Sequence, residues 1–263
     1  MDDDVYLNYD KDIYMIKNNP NVSEINLNHD IDIGSIKYLS NVIENKKITK
    51  LILISDINLE SIKILSNMIK KNTFIKKLTI AVEISSESMK YLSESIKKNK
   101  SIKELYVVSA YMALPEPYEL SPDEKIKNLY MKYLSEAIKE NTNITYIGIW
   151  CDPGINNNSI KYLCKALKIN KSIIEVDLSG TEMSNKDIFY ISDMLKINNT
   201  IIVMNFDSNI IDDIGAKCIM KCLEINKTIQ TFGFFTTRCI NSKNFLKKLG
   251  YILSMNKYNS IKQ

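Results

Sequence analysis

An asparagine followed three residues later by isoleucine or valine recurs along this chain. The pairs are Asn19/Val22, Asn45/Ile48, Asn72/Ile75, Asn99/Ile102, Asn141/Ile144, Asn170/Ile173, Asn198/Ile201 and Asn226/Ile229. Their branched members lie 26, 27, 27, 42, 29, 28 and 28 residues apart. A fixed period of this size is the signature of stacked supersecondary units, each too small to bury its own apolar face. That constraint excludes most single-core architectures before any other residue is considered.

Within each unit the branched residue opens a short alternation. Its inward members are Ile25 and Leu27, Leu51 and Leu53, Leu78 and Ile80, Leu105 and Val107, Ile147 and Ile149, Val176 and Leu178, Met204 and Phe206, and Phe232 and Phe234. Period two predicts a strand with one buried face. The spacing then becomes helical, as in SIKYLSNVIENK, where Ile36, Leu39, Val42 and Ile43 are expected inward. The same stretch returns as SIKILSNMIKKN, SMKYLSESIKKN and SIKYLCKALKIN.

The recurring Asn sits where each helix ends. That position calls either for a left-handed backbone or for a side chain that bonds orphan carbonyls, and Asn supplies both. Stacked strands lie about 4.8 Å apart and stacked helices about 8 to 10 Å, so the units are expected to curve into an α/β horseshoe. The expectation is one solenoid domain over 1–263: a parallel concave sheet, convex helices and about eight strand–helix repeats. Residues 1–20 and 236–263 would cap the ends, through DKDIYMIKNN and the amphipathic NSKNFLKKLGYILSMNK.

Units of 26 to 29 residues with a full helix resemble the ribonuclease-inhibitor-like class of leucine-rich repeats. The segments LKINNTIIVMNFDSNII and TIQTFGFF, residues 195–211 and 228–235, are also similar to the last repeats of the tropomodulin family. The first resemblance implies a protein-binding solenoid. The second implies a cytoskeletal, actin-associated regulator as the alternative.

Composition narrows the function classes. The formal net charge of +4 over 263 residues gives no strong attraction to nucleic acid or anionic membrane, and neither partner is expected. No stretch approaches the roughly 18 apolar residues of a span. The acidic start MDDDVYLNYD lacks the basic-then-apolar order of a secretory signal. Five cysteines without scaffold spacing fit a reducing compartment, and a cytoplasmic protein is expected.

Little in the chain points to catalysis. His29, the only histidine, falls four units from the strand-side Cys151. Four strand spacings, about 19 Å, defeat a dyad. Cys218 and Cys222 are four apart on one helix, but they occupy the columns held elsewhere by tyrosine and by an inward aliphatic, so core filling explains them better than zinc. The expectation is no enzyme, no metal and no cofactor. The tyrosine column (Tyr38, Tyr91, Tyr133, Tyr162, Tyr190) reads as packing between helices, and the lysine row (Lys37, Lys63, Lys90, Lys132, Lys161) as solvated surface.

The outward strand positions remain as the informative surface. They come three to a unit, such as Glu24, Asn26 and Asn28, or Tyr146, Gly148 and Trp150. Ile52, Ile54, Tyr106, Val108, Tyr146 and Trp150 form the expected apolar patch, with Glu175, Asp177 and Asp207 as its acidic side and Asn205 among them. Large exposed aromatics are the usual anchors of protein interfaces, so a protein partner is expected on this face. The spacing of 42 carries an insertion at about 109–128, where Pro115, Pro117 and Pro122 stiffen an acidic loop. The pattern sets neither the partner's identity nor the oligomeric state.

Overall fold

The computed structural model describes residues 19, 21–27, 32–53, 57–81, 85–108, 124–150, 157–234 and 242–262. The chain divides into two compact units, residues 1–144 and 145–263, and the division follows the repeat that carries the insertion.

In the first unit, β1 (Glu24–Leu27), β2 (Lys50–Leu53), β3 (Lys77–Ala81) and β4 (Glu104–Val108) pair in parallel and in chain order. They alternate with α1 (Ile33–Asn45), α2 (Leu59–Lys71), α3 (Ser86–Lys98) and α4 (Glu124–Glu140). The register aligns Leu51 with Ile25 and Leu78, and Leu78 with Leu105, so the inward residues form continuous columns. All four are fully buried. From each helix an i, i+3, i+7 stripe meets them: Ile36, Leu39 and Ile43, then Ile62, Leu65 and Ile69. Each such side chain contributes about 1.5 to 3 kcal/mol through burial. Val42 is only half-buried, contrary to expectation, because the face of α1 is centred one position away, on Leu39 and Ser40.

The helix starts follow from local chemistry. Asp32 Oδ1 accepts from the N–H groups of Gly34 at 2.7 Å and Ser35 at 3.1 Å. Asn58 and Ser85 cap α2 and α3 through the N–H groups of Ser61 and Ser88. Each bond satisfies a donor that the first helical turn leaves orphaned.

The helix stops are made by the recurring asparagine, whose backbone is extended and not left-handed (φ −67°, ψ 137° at Asn99). Its side chain works in two directions. Asn99 Nδ2 donates to the carbonyls of Ile69 and Asn72 in the preceding repeat, at 2.7 and 2.9 Å. Its Oδ1 accepts from the N–H groups of Ser101 and Ile102 at 2.7 and 2.8 Å, which turns the chain into β4. Asn141 repeats this toward Ile96 and Asn99, at 2.7 and 3.1 Å. One buried residue type thus closes one helix, starts the next strand and fastens two repeats. In the first repeat Lys46 serves as the helix cap, and its ammonium group takes the carbonyl of Asn19 at 2.7 Å.

In the second unit, β5 (Tyr146–Trp150), β6 (Glu175–Asp177), β7 (Val203–Asn205) and β8 (Thr231–Gly233) are likewise parallel and sequential. Their helices are α5 (Asn157–Leu167), α6 (Asn185–Leu195), α7 (Asp213–Ile225) and α8 (Ser242–Ile261). The ladder continues from Asn198 to Leu167, from Asn226 to Leu195 and Asn198, and from Asn256 of α8 to Asn226 and Ile229. Buried Asn209 adds a second fastening. It donates to the Leu178 carbonyl at 2.8 Å and accepts from Met183 N–H at 2.9 Å. Phe206, Phe232, Phe234 and Phe245 contact one another in sequence at 5.3, 6.1 and 5.0 Å between ring centroids, tilted at the first and last contacts and stacked at the middle one, tying α8 to this core. The expected terminal helix over 241–257 is therefore present as α8, and a helix does resume near Ile126 as α4. The expected cap at 10–19, apart from Asn19, and the insertion loop before Glu124 lie outside the described residues.

Candidate functional site

On the outward face of the first unit the register places Glu24, Lys50, Lys77 and Glu104 in one row, and Asn26, Ile52, Thr79 and Tyr106 in the next. The charged row is paired within itself: Lys50 meets Glu24 at 2.5 Å and Lys77 meets Glu104 at 2.7 Å. Tyr106 lies over the second pair. Its hydroxyl donates to Glu104 Oε2 at 2.6 Å, and Lys77 Nζ stands 5.8 Å from its ring centroid. Partial burial raises the Glu104 pKa, but the hydrogen bonds from Lys77 and Tyr106 and the Lys77 charge outweigh it and hold the carboxyl below its usual range.

Ile52, Tyr106 and Val108 are half-buried as part of this face. Asn26, expected outward, is instead buried, at 9% exposure. Ile54, together with Asn28, lies outside the described residues, as do His29 and Cys151.

On the second unit the rows run Tyr146, Glu175, Val203, Thr231 and Gly148, Asp177, Asn205, Gly233. Gly148 sets the geometry here. A Cβ at that residue would lie 2.9 Å from Tyr146 Oη, 3.0 Å from Tyr146 Cε1 and 3.3 Å from Trp150 Cε2. The two aromatics therefore lean over the glycine from either side, and Gly148 is buried beneath them although the period-two pattern sets it outward. Tyr146 and Trp150 themselves are half-buried.

Glu175 and Asp177 are half-buried on the neighbouring strand, beside Tyr146 and Gly148. Among the described residues neither forms an ion pair. Asp177 Oδ1 accepts from Ser179 N–H at 2.9 Å and Asn205 Oδ1 from Asp207 N–H at 3.0 Å, so both side chains fold back along their own strands. The Asn205 oxygen occupies the space a Cβ on Gly233 would need, and Asp207 Oδ1 lies 3.2 Å from the same point.

Alternation alone does not single out Gly148, although Tyr-Ile-Gly-Ile-Trp carries its signal: two outward aromatics flanking an outward glycine. The Lys77–Glu104–Tyr106 cluster was missed as well, because its members belong to different repeats and meet only through the register.

The other candidate groups find structural partners. Burial pushes the thiols of Cys164 and Cys222 up to about 12, and Cys222 Sγ donates to the Ile219 carbonyl. Cys218 Sγ lies 3.1 Å from Ser192 Oγ. Among the described residues no group of three His, Cys, Asp or Glu is placed to hold a metal. On the helix side, Lys63 and Lys161 stand 5.5 and 6.0 Å over the rings of Tyr91 and Tyr190 in the following repeats. The lysine row and the tyrosine column therefore interlock in part. No helix among the described residues is long and apolar enough to cross a membrane.

No protein-family model matches the sequence, and no curated protein matches it. Solved structures do. Actin-binding site 2 of leiomodin-1 matches with TM-score 0.50 at 19% identity, over 65% of this chain and 90% of that one. The tropomodulin C-terminal domain from Caenorhabditis elegans gives 0.39 at 13%, over 78% and 96%. The leucine-rich-repeat protein LegL7 from Legionella pneumophila gives 0.42 at 12%, over 91% and 94%. The fold is a leucine-rich-repeat solenoid. In leucine-rich-repeat terms, the two outward faces above are the strand faces, and α1 to α8 are the helix side.

Proposed function

We propose that this chain is a non-enzymatic protein-binding scaffold, and that its partner docks on the outward strand faces. The observation that carries this reading is the Tyr146–Trp150 pair leaning over Gly148. Half-exposed aromatics packed over a close floor are among the commonest anchors of protein interfaces. Among the described residues no cation is paired with the neighbouring Glu175 or Asp177, so the favoured docking segment is apolar with a basic residue beside it. On the first unit Ile52, Tyr106 and Val108 offer apolar surface among charges already neutralised in pairs, a face suited to contact more than to electrostatic steering.

Trp150 is the only tryptophan in the chain, so its fluorescence reports on this site alone. Titrating candidate proteins that lack tryptophan, or that carry a fluorescence-silent analogue of it, should shift that emission to the blue on binding. Actin, named in the leiomodin-1 match, is a natural first candidate. A partner that binds the chain tightly without changing Trp150 emission would overturn the assignment.

The buried, protonated thiols of Cys164 and Cys222 are poor nucleophiles, since the thiolate is the reactive form. That supports a binding role over thiol catalysis.

A further inference from the structure

Helix α8 closes the second unit with one face and leaves the other bare. Leu249 and Asn256 are buried, with Phe245, Ile252 and Leu253 half-buried beside them. Tyr251, Met255 and Tyr258 fall at i, i+4 and i+7, on the opposite side. Their exposures are 66%, 40% and 52%, and Ile261 reaches 77%. Single exposed apolar side chains are ordinary on a helix, but these line up as one continuous ridge, and such a patch marks an interaction surface.

Its charge is one-sided as well. Residues 242–262 hold Lys243, Lys247, Lys248, Lys257 and Lys262 and no aspartate or glutamate. Lys247 lies one turn before Tyr251, and Lys262 one turn after Tyr258 with its Nζ 4.5 Å over that ring. On the adjoining α7, Lys217 and Lys221 are exposed, while exposed Glu224 is paired with Lys248, whose hydrogen bond lowers the Glu224 pKa. The near-neutral total charge of the chain conceals this local excess.

We propose that the outer face of α8 adsorbs to an anionic lipid surface. A second copy of the chain is disfavoured there, because two such faces would oppose lysine to lysine with no acid between them. A 20-residue helix is a straight ridge about 30 Å long and offers no groove for an inserted segment, which suits a planar surface. Tyrosine rings sit at the headgroup level, and flanking lysines hold their ammonium groups among the phosphates while their stems lie along apolar surface. The inference is independent of the strand faces. It concerns adsorption and not spanning.

Flotation of the full chain with phosphatidylcholine vesicles, with and without phosphatidylserine, tests it. Binding is expected only to the phosphatidylserine vesicles and is expected to weaken at high salt. Lys247→Ala and Lys262→Ala should each weaken it roughly fivefold, and Tyr251→Asp with Tyr258→Asp should abolish it. All four side chains point away from the core, so circular dichroism should be unchanged. If the tyrosine double variant misfolds, the two lysine variants decide the matter alone. Failure to bind phosphatidylserine vesicles, or binding that ignores the lysine variants, overturns the proposal. So does binding to soluble polyglutamate without binding to vesicles, which would assign the face to an acidic polypeptide.

Discussion

The hydroxyl of Tyr106 donates to Glu104 two residues back on the same strand, at 2.6 Å, and Lys77 of the neighbouring strand completes the cluster at 2.7 Å from the same carboxylate. Glu104 is held below its ordinary value, so its contribution to stability is complete above the unfolded carboxylate value of about 4.3 and is lost as pH falls through the lower folded value. Removing the phenol removes one of the bonds that lower it. Tyr106→Phe should therefore raise the Glu104 pKa, read by NMR titration of its carboxyl carbon, and move acid unfolding to higher pH. An unchanged Glu104 titration would mean that the hydroxyl bond is not formed in solution.

The asparagine ladder carries the largest single-residue prediction for stability. Asn99 is fully buried and bonds in both directions. Asn99→Ala takes the side-chain partner from the Ile69 carbonyl and from two N–H groups at once, while the Asn72 carbonyl keeps the Ser101 hydroxyl, and at about 1 kcal/mol or more for each group it should cost roughly 3 to 5 kcal/mol in denaturant unfolding. Asn99→Asp keeps the acceptor but sets a carboxylate against carbonyls, and should be at least as damaging.

A local version of the same test applies at the end of the chain. Asn256 is the last rung, bonded to Asn226 and Ile229 at 3.2 and 2.8 Å. Asn256→Ala should raise amide hydrogen exchange within 242–261 while leaving exchange in β5 to β7 near wild type, since α8 can open as a unit. Faster exchange throughout the second unit would show that α8 is inseparable from its core.

Gly148→Ala probes the aromatic pair without touching either ring. The new methyl would crowd the Tyr146 ring and its hydroxyl most closely and the Trp150 indole less so, so the rings should swing outward. The cost in stability should be about 1 kcal/mol or less, with a red shift of Trp150 emission as the indole meets more water. A large loss of stability with unchanged emission would show rings too firmly fixed to move.

Much of this was legible in the sequence, and the rest was hidden for identifiable reasons. Period and alternation placed the strands and their inward residues, from Ile25 to Phe234, because one buried face leaves a period-two record. The Asn column marked helix stops at Asn72, Asn99 and Asn226, while Lys46 and Lys196 cap two other helices; whether the Asn acts through backbone or side chain was undecided until its carbonyl partners in the preceding repeat were in view. Outward positions were less secure. Asn26 and Gly148 alternate as exposed residues but are buried, the glycine because its neighbours' rings cover it. Alternation reports which side of the sheet a residue leaves from and says nothing of what another side chain does above it. Lys77, Glu104 and Tyr106 met only through register, as did Lys63 with Tyr91.

The most direct test of the strand-face reading is a calorimetric comparison of four variants against one captured partner. Trp150→Ala and Tyr146→Ala should each weaken binding about thirtyfold, equivalent to roughly 2 kcal/mol, with thermal melts little changed. Lys90→Glu and Lys161→Glu, on the helix side, should bind as wild type. Loss of the partner from the lysine variants with full retention by Trp150→Ala would contradict the account and move the interface to the helices.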